Sequence, residues 1–145
     1  MPKQQKSEIQ YRIKVNLKRR RSIWRSLVLC GDETLDDLHI AIFVAFDRDD
    51  EHLYSFYFPS AAARRSTPNG KRATEYTAPQ SFGPGERSGF DGRYDAASAT
   101  LDDLKLKVGQ TFEYLFDFGD MWWHELKVEA IGASESGKTY SLRPR

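Results

Sequence analysis

The sequence is poor in the features that define secreted and membrane proteins. Its 145 residues include one cysteine, Cys30, so an internal disulfide and a cysteine-rich zinc site are both excluded. No stretch approaches the roughly 18 consecutive apolar residues that a membrane helix needs. The first ten residues, MPKQQKSEIQ, contain no apolar core of a signal peptide. We therefore expect a cytoplasmic protein that makes no contact with a membrane.

Net charge is also nearly absent, at +1, but the charges are divided unevenly along the chain. Residues 1–30 contain nine lysines and arginines against one acid, whereas residues 31–51 contain eight acids and one arginine. Such a division is typical of a nucleic-acid face, or of two elements that exchange salt bridges across a fold. The isoelectric point of 7.8 is low for a dedicated nucleic-acid binder. Salt bridges across the fold are therefore the favoured interpretation.

The sequence contains one short motif of protein kinases but lacks the others that a kinase needs. Asp117, Phe118 and Gly119 spell the DFG motif that binds magnesium in protein kinases. A kinase also needs a glycine-rich loop, a strand lysine paired with a helix glutamate and a catalytic loop, and the sequence contains none of them. We interpret the motif as a turn between two strands, in which Gly119 adopts the positive φ angle and Asp120 bonds local amides.

The hydrophobic content of 39% and aromatic content of 13% predict one globular domain with its own core. Period-two alternation in IQYRIKVNLK predicts a half-buried strand, and IWRSLVLC predicts a more buried return strand with Trp24 as a core anchor. Thr34 and Asp37 form a capping box that begins a helix over TLDDLHIAIFVAF. HLYSFYF predicts another strand.

The segment at about 59–99 is rich in proline, glycine and serine, and we expect a flexible insertion there, with a short strand near 72–77. Thr100 and Asp103 repeat the cap over a shorter helical turn. Two aromatic strands follow on either side of the DFGDM turn, the first with Phe112, Tyr114, Phe116 and Phe118 in one row, and a last strand is predicted over 139–142.

The fold class is α+β: a mixed, mainly antiparallel sheet of about five or six strands with a packed helix and a β-grasp-like hairpin–helix–strand start.

Four segments in order carry a resemblance to a known family: IWRSL, TLDDLHIAI, AFDRDDEHLYSF and YLFDFGDMWWHEL. They resemble the plasmid ORF-three-like family, which is named after an open reading frame of the Ri plasmid. Its members are sometimes labelled insertion-element passenger or TnpR-like proteins, and the family's function is unassigned. RRRS stands here where the family's proline-containing segment is expected before IW. The TnpR-like label implies a resolvase, but the serine and arginine arrangement of a serine recombinase is not found in the sequence.

Two groups of residues are candidates for a site. Arg19, Arg20, Arg21 and Arg25 at the first hairpin, with Arg64, Arg65, Lys71 and Arg72 in the insertion, could contact phosphates. One of the adjacent Trp122 and Trp123 must face away from the core, where it could stack on a base. The three histidines, His39, His52 and His124, with Asp117 and Asp120, would suit a mixed nitrogen and oxygen metal site if the fold brings them together. Histidines that satisfy backbone groups or carboxylates are the commoner case.

The sequence therefore predicts a non-catalytic binding module of plasmid or mobile-element origin. Its partner is nucleic acid, or a protein that adds a strand to an open sheet edge. A metal-dependent hydrolase that uses His39, His52 and His124 is the alternative. No cofactor and no oligomeric state follow from the sequence.

Overall fold

The structure, a computed structural model, describes residues 8–63, 65–89 and 91–133. These residues form one α-helix, α1 (Leu35–Ala45), and seven strands: β1 (Ile9–Leu17), β2 (Trp24–Cys30), β3 (Tyr54–Pro59), β4 (Ala73–Thr77), β5 (Arg93–Asp95), β6 (Thr111–Phe116) and β7 (Trp122–Ala133). Three short 3-10 helices cover Pro79–Ser81, Ala96–Ser98 and Asp102–Leu104. Within these ranges, α1 is too short to cross a membrane, and no other α-helix is seen.

All seven strands join one sheet in the order β2-β1-β7-β6-β3-β4-β5. Every neighbouring pair is antiparallel except β4 and β5, which are parallel. The predicted α+β class is therefore confirmed, with more strands than the five or six expected and with strands as the dominant element. The β-grasp-like detail is not confirmed, because β7 and β6 lie between β1 and β3.

The β1–β2 hairpin forms as predicted, and its alternation decides which side chains face the core. Tyr11 and Ile13 lie opposite Leu29 and Leu27, and all four are buried. The prediction for β2 was wrong in one respect: the strand lies at the sheet edge and buries one face more completely than the other. Trp24, expected in the core, lies on the other face with 38% of its surface exposed. Strand alternation places it there, because Trp24 pairs with Asn16 and not with an inward residue.

The helix α1 begins where its capping box predicts. The Thr34 side chain accepts a hydrogen bond from the Asp37 amide at 3.1 Å, and the Asp37 carboxylate accepts one from the Thr34 amide at 2.8 Å. The helix packs on the sheet through Leu35, Leu38, Ala41, Ile42 and Ala45, all buried. We call the sheet face beneath α1 the inner face and the opposite one the outer face. The same reciprocal bonds join Thr100, which lies before the predicted short helical turn, to Asp103, which lies within it.

The turn between β6 and β7 confirms the non-kinase interpretation of DFG, but its geometry differs from the prediction. Asp117 and Met121 adopt the left-handed φ angles, 66° and 58°, and Gly119 does not. The Asp117 carboxylate accepts hydrogen bonds from the amides of Gly119 and Asp120 at 3.0 and 3.3 Å. A short polar side chain that bonds its own turn tolerates the left-handed region, so Asp117 takes the roles assigned to Gly119 and Asp120.

The middle of the chain contributes two strands to the sheet edge. The strand predicted near 72–77 is β4, which extends the antiparallel part of the sheet beyond β3. The expectation that 59–99 is a flexible insertion stays a prediction, as does the assignment of one domain. The strand predicted over 139–142 lies outside the described residues.

Candidate functional site

Several cations of the basic block lie on the opposite side of the sheet from the acidic block. Arg12 and Lys14 alternate with the inward Tyr11, Ile13 and Val15 and therefore face outward, while the acids of residues 31–51 belong to α1 and the loops that flank it. The ion pairs of the basic block go elsewhere: Lys18 pairs with Glu113, and Arg21 pairs with Glu125 at 2.9 Å. In the described part of the chain no ion pair joins the two blocks. Salt bridges between the two blocks, the favoured interpretation of the charge pattern, are therefore not found among these residues.

Two lysines meet on the outer face beside an exposed tryptophan. Lys14 lies directly opposite Lys127 on the neighbouring strand β7. The Lys14 Nζ atom lies 4.7 Å from the centre of the Trp24 ring. Like charges directly opposite each other destabilise a sheet, and neither lysine has a carboxylate partner among the described residues. We call Arg12, Lys14, Trp24 and Lys127 the outer patch. An anion bound there would relieve the repulsion.

The predicted arginine cluster divides into two parts. Arg19, Arg20 and Arg21 lie exposed in the turn that joins β1 to β2, at one end of the outer patch. Arg19 covers the Trp122 ring at 4.7 Å and donates to the Asp120 carbonyl at 3.3 Å. Arg25 does not join them, because it opposes Val15 on the inner face and donates to the Ala45 carbonyl at the end of α1 at 3.0 Å.

The adjacent tryptophans face opposite sides of the sheet, as their alternation predicts. Trp122 packs against the main core on the inner face, and Trp123 packs on the outer face in a small cluster with Tyr57 and Leu115. Both are half-buried, so neither is as available for stacking as Trp24.

The predicted cations of the middle loop do not form one cluster. Arg65 reaches Glu75 at 3.5 Å, and Arg72 donates to the Ala63 carbonyl at 3.4 Å. Lys71 is exposed, and Arg64 lies outside the described residues.

His39 is buried and links the buried Tyr114 to the exposed Glu51 through hydrogen bonds. Its Nε2 atom lies 3.1 Å from Glu51 Oε1, and its Nδ1 atom lies 2.6 Å from the Tyr114 hydroxyl. Burial lowers the pKa of His39 and raises that of Tyr114, so both are neutral at pH 7. Neutral His39 then donates from Nε2 to Glu51 and accepts from the Tyr114 hydroxyl at Nδ1. Its ring also stacks on Tyr54 at 3.9 Å, and the Tyr54 hydroxyl donates to Asp36.

His124 and Arg48 form a second buried group. His124 Nδ1 lies 3.3 Å from the Tyr114 carbonyl, and Arg48 Nη2 lies 2.8 Å from His124 Nε2. Burial, with the Arg48 cation as a second cause, lowers the pKa of His124 to about 3. The guanidinium of Arg48 lies 5.2 Å from the centre of the Phe46 ring and 4.8 Å from that of Phe116, and its buried Nη1 atom has no hydrogen-bond partner among the described residues. Burial lowers the pKa of Arg48 as well.

The three histidines surround Tyr114 and Phe116 but do not point to one centre. His52, which is exposed, reaches Asp117 at 3.5 Å, whereas His39 and His124 bond the different partners given above. Asp120 contributes its amide to Asp117. Across residues 8–133 apart from 64 and 90, no group of three or more histidine, cysteine, aspartate or glutamate side chains could hold a metal ion. The geometry therefore gives the proposed metal-dependent hydrolase no support.

A cavity of about 480 Å³ opens between α1 and the start of β3. It is lined by Asp36, His39, Ile40, Glu51, His52, Leu53, Tyr54 and Gln80. Asp36 and Glu51 therefore line the same cavity as the stacked His39 and Tyr54. We call it the α1 cavity. Sequence reasoning missed it, because residues 36–40 and 51–54 show no shared local pattern, and it likewise missed Tyr114 and Arg48, which organise the two histidines.

The family model for the plasmid pRiA4b ORF-3-like protein matches residues 9–143. No curated protein matches the chain. A crystal structure of a protein of unknown function, MM3350 from Methanosarcina mazei Go1, is similar in fold with a TM-score of 0.69 and 26% sequence identity. The similarity covers 95% of this chain and 67% of that one.

Proposed function

Because the chain belongs to the plasmid pRiA4b ORF-3-like family, for which no activity is assigned, we propose its function from its own surface: it is a non-catalytic module that binds single-stranded nucleic acid on the outer patch. The observation that carries this proposal is the direct opposition of Lys14 and Lys127 on an exposed sheet face beside Trp24. A plasmid or mobile-element origin, which the family name suggests, fits such a module.

The outer patch supplies both interactions that single-strand binding requires. Arg12, Lys14 and Lys127 provide unpaired cations for phosphates, and the exposed Trp24 ring provides a surface on which a base can stack. The patch is three strands wide, about 10 Å from β2 to β7, so adjacent nucleotides of one strand can reach both the ring and the lysines. Arg19, Arg20 and Arg21 extend the positive surface beyond the hairpin turn.

Single strands suit this site better than a duplex. Bases in a duplex are stacked on each other and leave no free face for Trp24, whereas the bases of a single strand can rotate onto an aromatic ring. The outer patch also presents no helix or protruding ribbon that would enter a major groove. We therefore expect single-stranded DNA or RNA to bind more tightly than the matching duplex.

Salt-dependent binding to a labelled single strand of about 12 nucleotides tests the proposal. Fluorescence anisotropy between about 50 and 200 mM salt should show affinity that falls steeply as salt rises. The Lys14→Gln, Lys127→Gln double variant should reduce the slope of log K against log salt by about 1.4, because each lost phosphate contact on a single strand contributes about 0.7. Trp24→Ala should weaken binding about 5- to 150-fold.

Lys105→Gln is the matched control, because Lys105 follows the 3-10 helix at Asp102–Leu104, which packs near the start of α1 and away from the outer patch. It should change neither the affinity nor the slope. Lys127→Gln should also leave the protein at least as stable as before, since it removes a like-charge contact. No binding at 50 mM salt, or a slope that the lysine variants leave unchanged, would contradict the proposal.

A further inference from the structure

The surface on the other side of the molecule is apolar at its centre and acidic around it. Ile40 and Val44 are 47% and 52% exposed, and their spacing of four residues places them side by side along α1. Leu53, 41% exposed, lines the α1 cavity together with Ile40. We call these three residues the helix face. Apolar side chains in a contiguous exposed group are a common mark of a protein-binding surface.

The acids around the helix face have no cationic partners. Asp36 and Asp37 precede Ile40 by one helical turn, and the exposed Asp47, Asp49, Asp50 and Glu51 lead directly to Leu53. Arg48, the only basic residue of this block, is turned inward against His124. Among the described residues no lysine or arginine forms an ion pair with any of these carboxylates. The surface is therefore complementary to a partner that is both apolar and positively charged.

The α1 cavity beside the helix face is built to hold a cationic side chain. The Tyr54 hydroxyl fixes one oxygen of Asp36, and neutral His39 fixes one oxygen of Glu51. Each carboxylate keeps a second oxygen free to accept a hydrogen bond. The rings of His39 and Tyr54, which stack on each other, also line the cavity. Two oriented carboxylates match the planar, multiply donating guanidinium of arginine better than the compact ammonium of lysine.

From this arrangement we propose that the helix face docks a basic amphipathic helix of a partner protein, whose arginine side chain enters the α1 cavity between Asp36 and Glu51. The apolar residues of the partner helix cover Ile40, Val44 and Leu53. The hydrogen-bonded chain Tyr114–His39–Glu51 then has a function, because it holds the exposed Glu51 carboxylate in place before the partner arrives. The partner lies on the opposite side of the sheet from the outer patch, so both ligands can be bound at once.

The probe is a synthetic helical peptide of about 16 residues with leucines on one face and a central arginine among further basic residues. It should bind the full chain, and replacing the central arginine by citrulline, which keeps the shape and removes the charge, should weaken binding at least about tenfold. Asp36→Asn and Glu51→Gln should each weaken binding by a similar factor. Both substitutions keep an oxygen that accepts from Tyr54 or His39, so the fold is retained.

Glu129→Gln is the control, because Glu129 is an exposed carboxylate toward the far end of β7 from Trp122. It should leave peptide affinity unchanged within about twofold. Val44→Lys tests the apolar part separately and, as a surface change, should abolish peptide binding while leaving nucleic-acid binding intact. If a folded Val44→Lys variant lost both peptide binding and nucleic-acid binding, the helix face and the outer patch would not be independent sites.

Three results would overturn the docking proposal. The first is no peptide binding at about 1 mM. The second is peptide binding that Asp36→Asn and Glu51→Gln leave unchanged. The third is binding of free argininamide as tight as that of the peptide, which would make the α1 cavity a small-molecule site and leave the helix face without a role. None of these results bears on the outer patch, so the two proposals fail separately.

Discussion

Lowering the pH from 7 to 4 is expected to reduce the free energy of unfolding by about 3 kcal/mol through His124 alone. The folded protein keeps this imidazole neutral, because burial and the Arg48 cation lower its pKa to about 3. In the unfolded chain its pKa returns to about 6.5. Between these two values the unfolded state binds a proton that the folded state cannot bind, so stability falls as pH falls. His39, whose pKa burial also lowers, acts in the same direction.

Urea unfolding at several pH values between 4 and 7 measures this effect. In His124→Gln the amide can still bond Arg48 and the Tyr114 carbonyl, but nothing titrates, so the dependence on pH should flatten by about the same 3 kcal/mol. Arg48→Met should raise the pKa of His124, because it removes the neighbouring cation, and should thereby narrow the acid-sensitive range. Folded His124 that takes up a proton near pH 6 in an NMR titration would contradict the expectation.

Replacing Phe112 with alanine should lower the free energy of unfolding by about 3–5 kcal/mol. Phe112 is 1% exposed, stacks on Phe58 at 4.4 Å and lies 6.3 Å from Phe56 in the aromatic layer of the inner face. Removal of its ring leaves a cavity that the neighbouring rings of Phe56 and Phe58, both fixed on β3, cannot fill by small movements. Chemical denaturation of the purified variant at pH 7 gives the value directly.

Phe118→Ala is the matched control, since it makes the same substitution six residues later. Phe118 is 41% exposed in the turn after β6, and its removal should change the free energy of unfolding by less than about 0.5 kcal/mol. The sequence places Phe112 and Phe118 in one alternating row, so sequence alone predicts that both variants lose a similar free energy of unfolding. If both variants lost the same free energy of unfolding, the aromatic row would continue through the turn and Asp117 would not end the strand.

Much of the fold follows from local patterns in the sequence. The alternation of β1, the capping box at Thr34 and the position of the β6–β7 turn each depend on residues close together in the chain, where periodicity and hydrogen bonding act directly. The family resemblance was confirmed for the same reason, since its motifs are contiguous segments. The sequence predicted which kinds of candidate residue are present: arginines near the first hairpin and histidines within the family motifs. It did not predict which side chains these residues contact.

What the sequence by itself determined was therefore the elements and the two blocks of opposite charge. Only the tertiary structure decided that Arg12 and Lys14 face away from the acidic block, that Trp24 is exposed beside Lys14 and Lys127, and that His39 and His124 bond Tyr114 and Arg48 and not one another. The physical reason is that the pairing of distant strands, such as β1 with β7, sets which side chains meet. A shift of one residue in such a pairing would reverse every face, and nothing local to either strand encodes that choice.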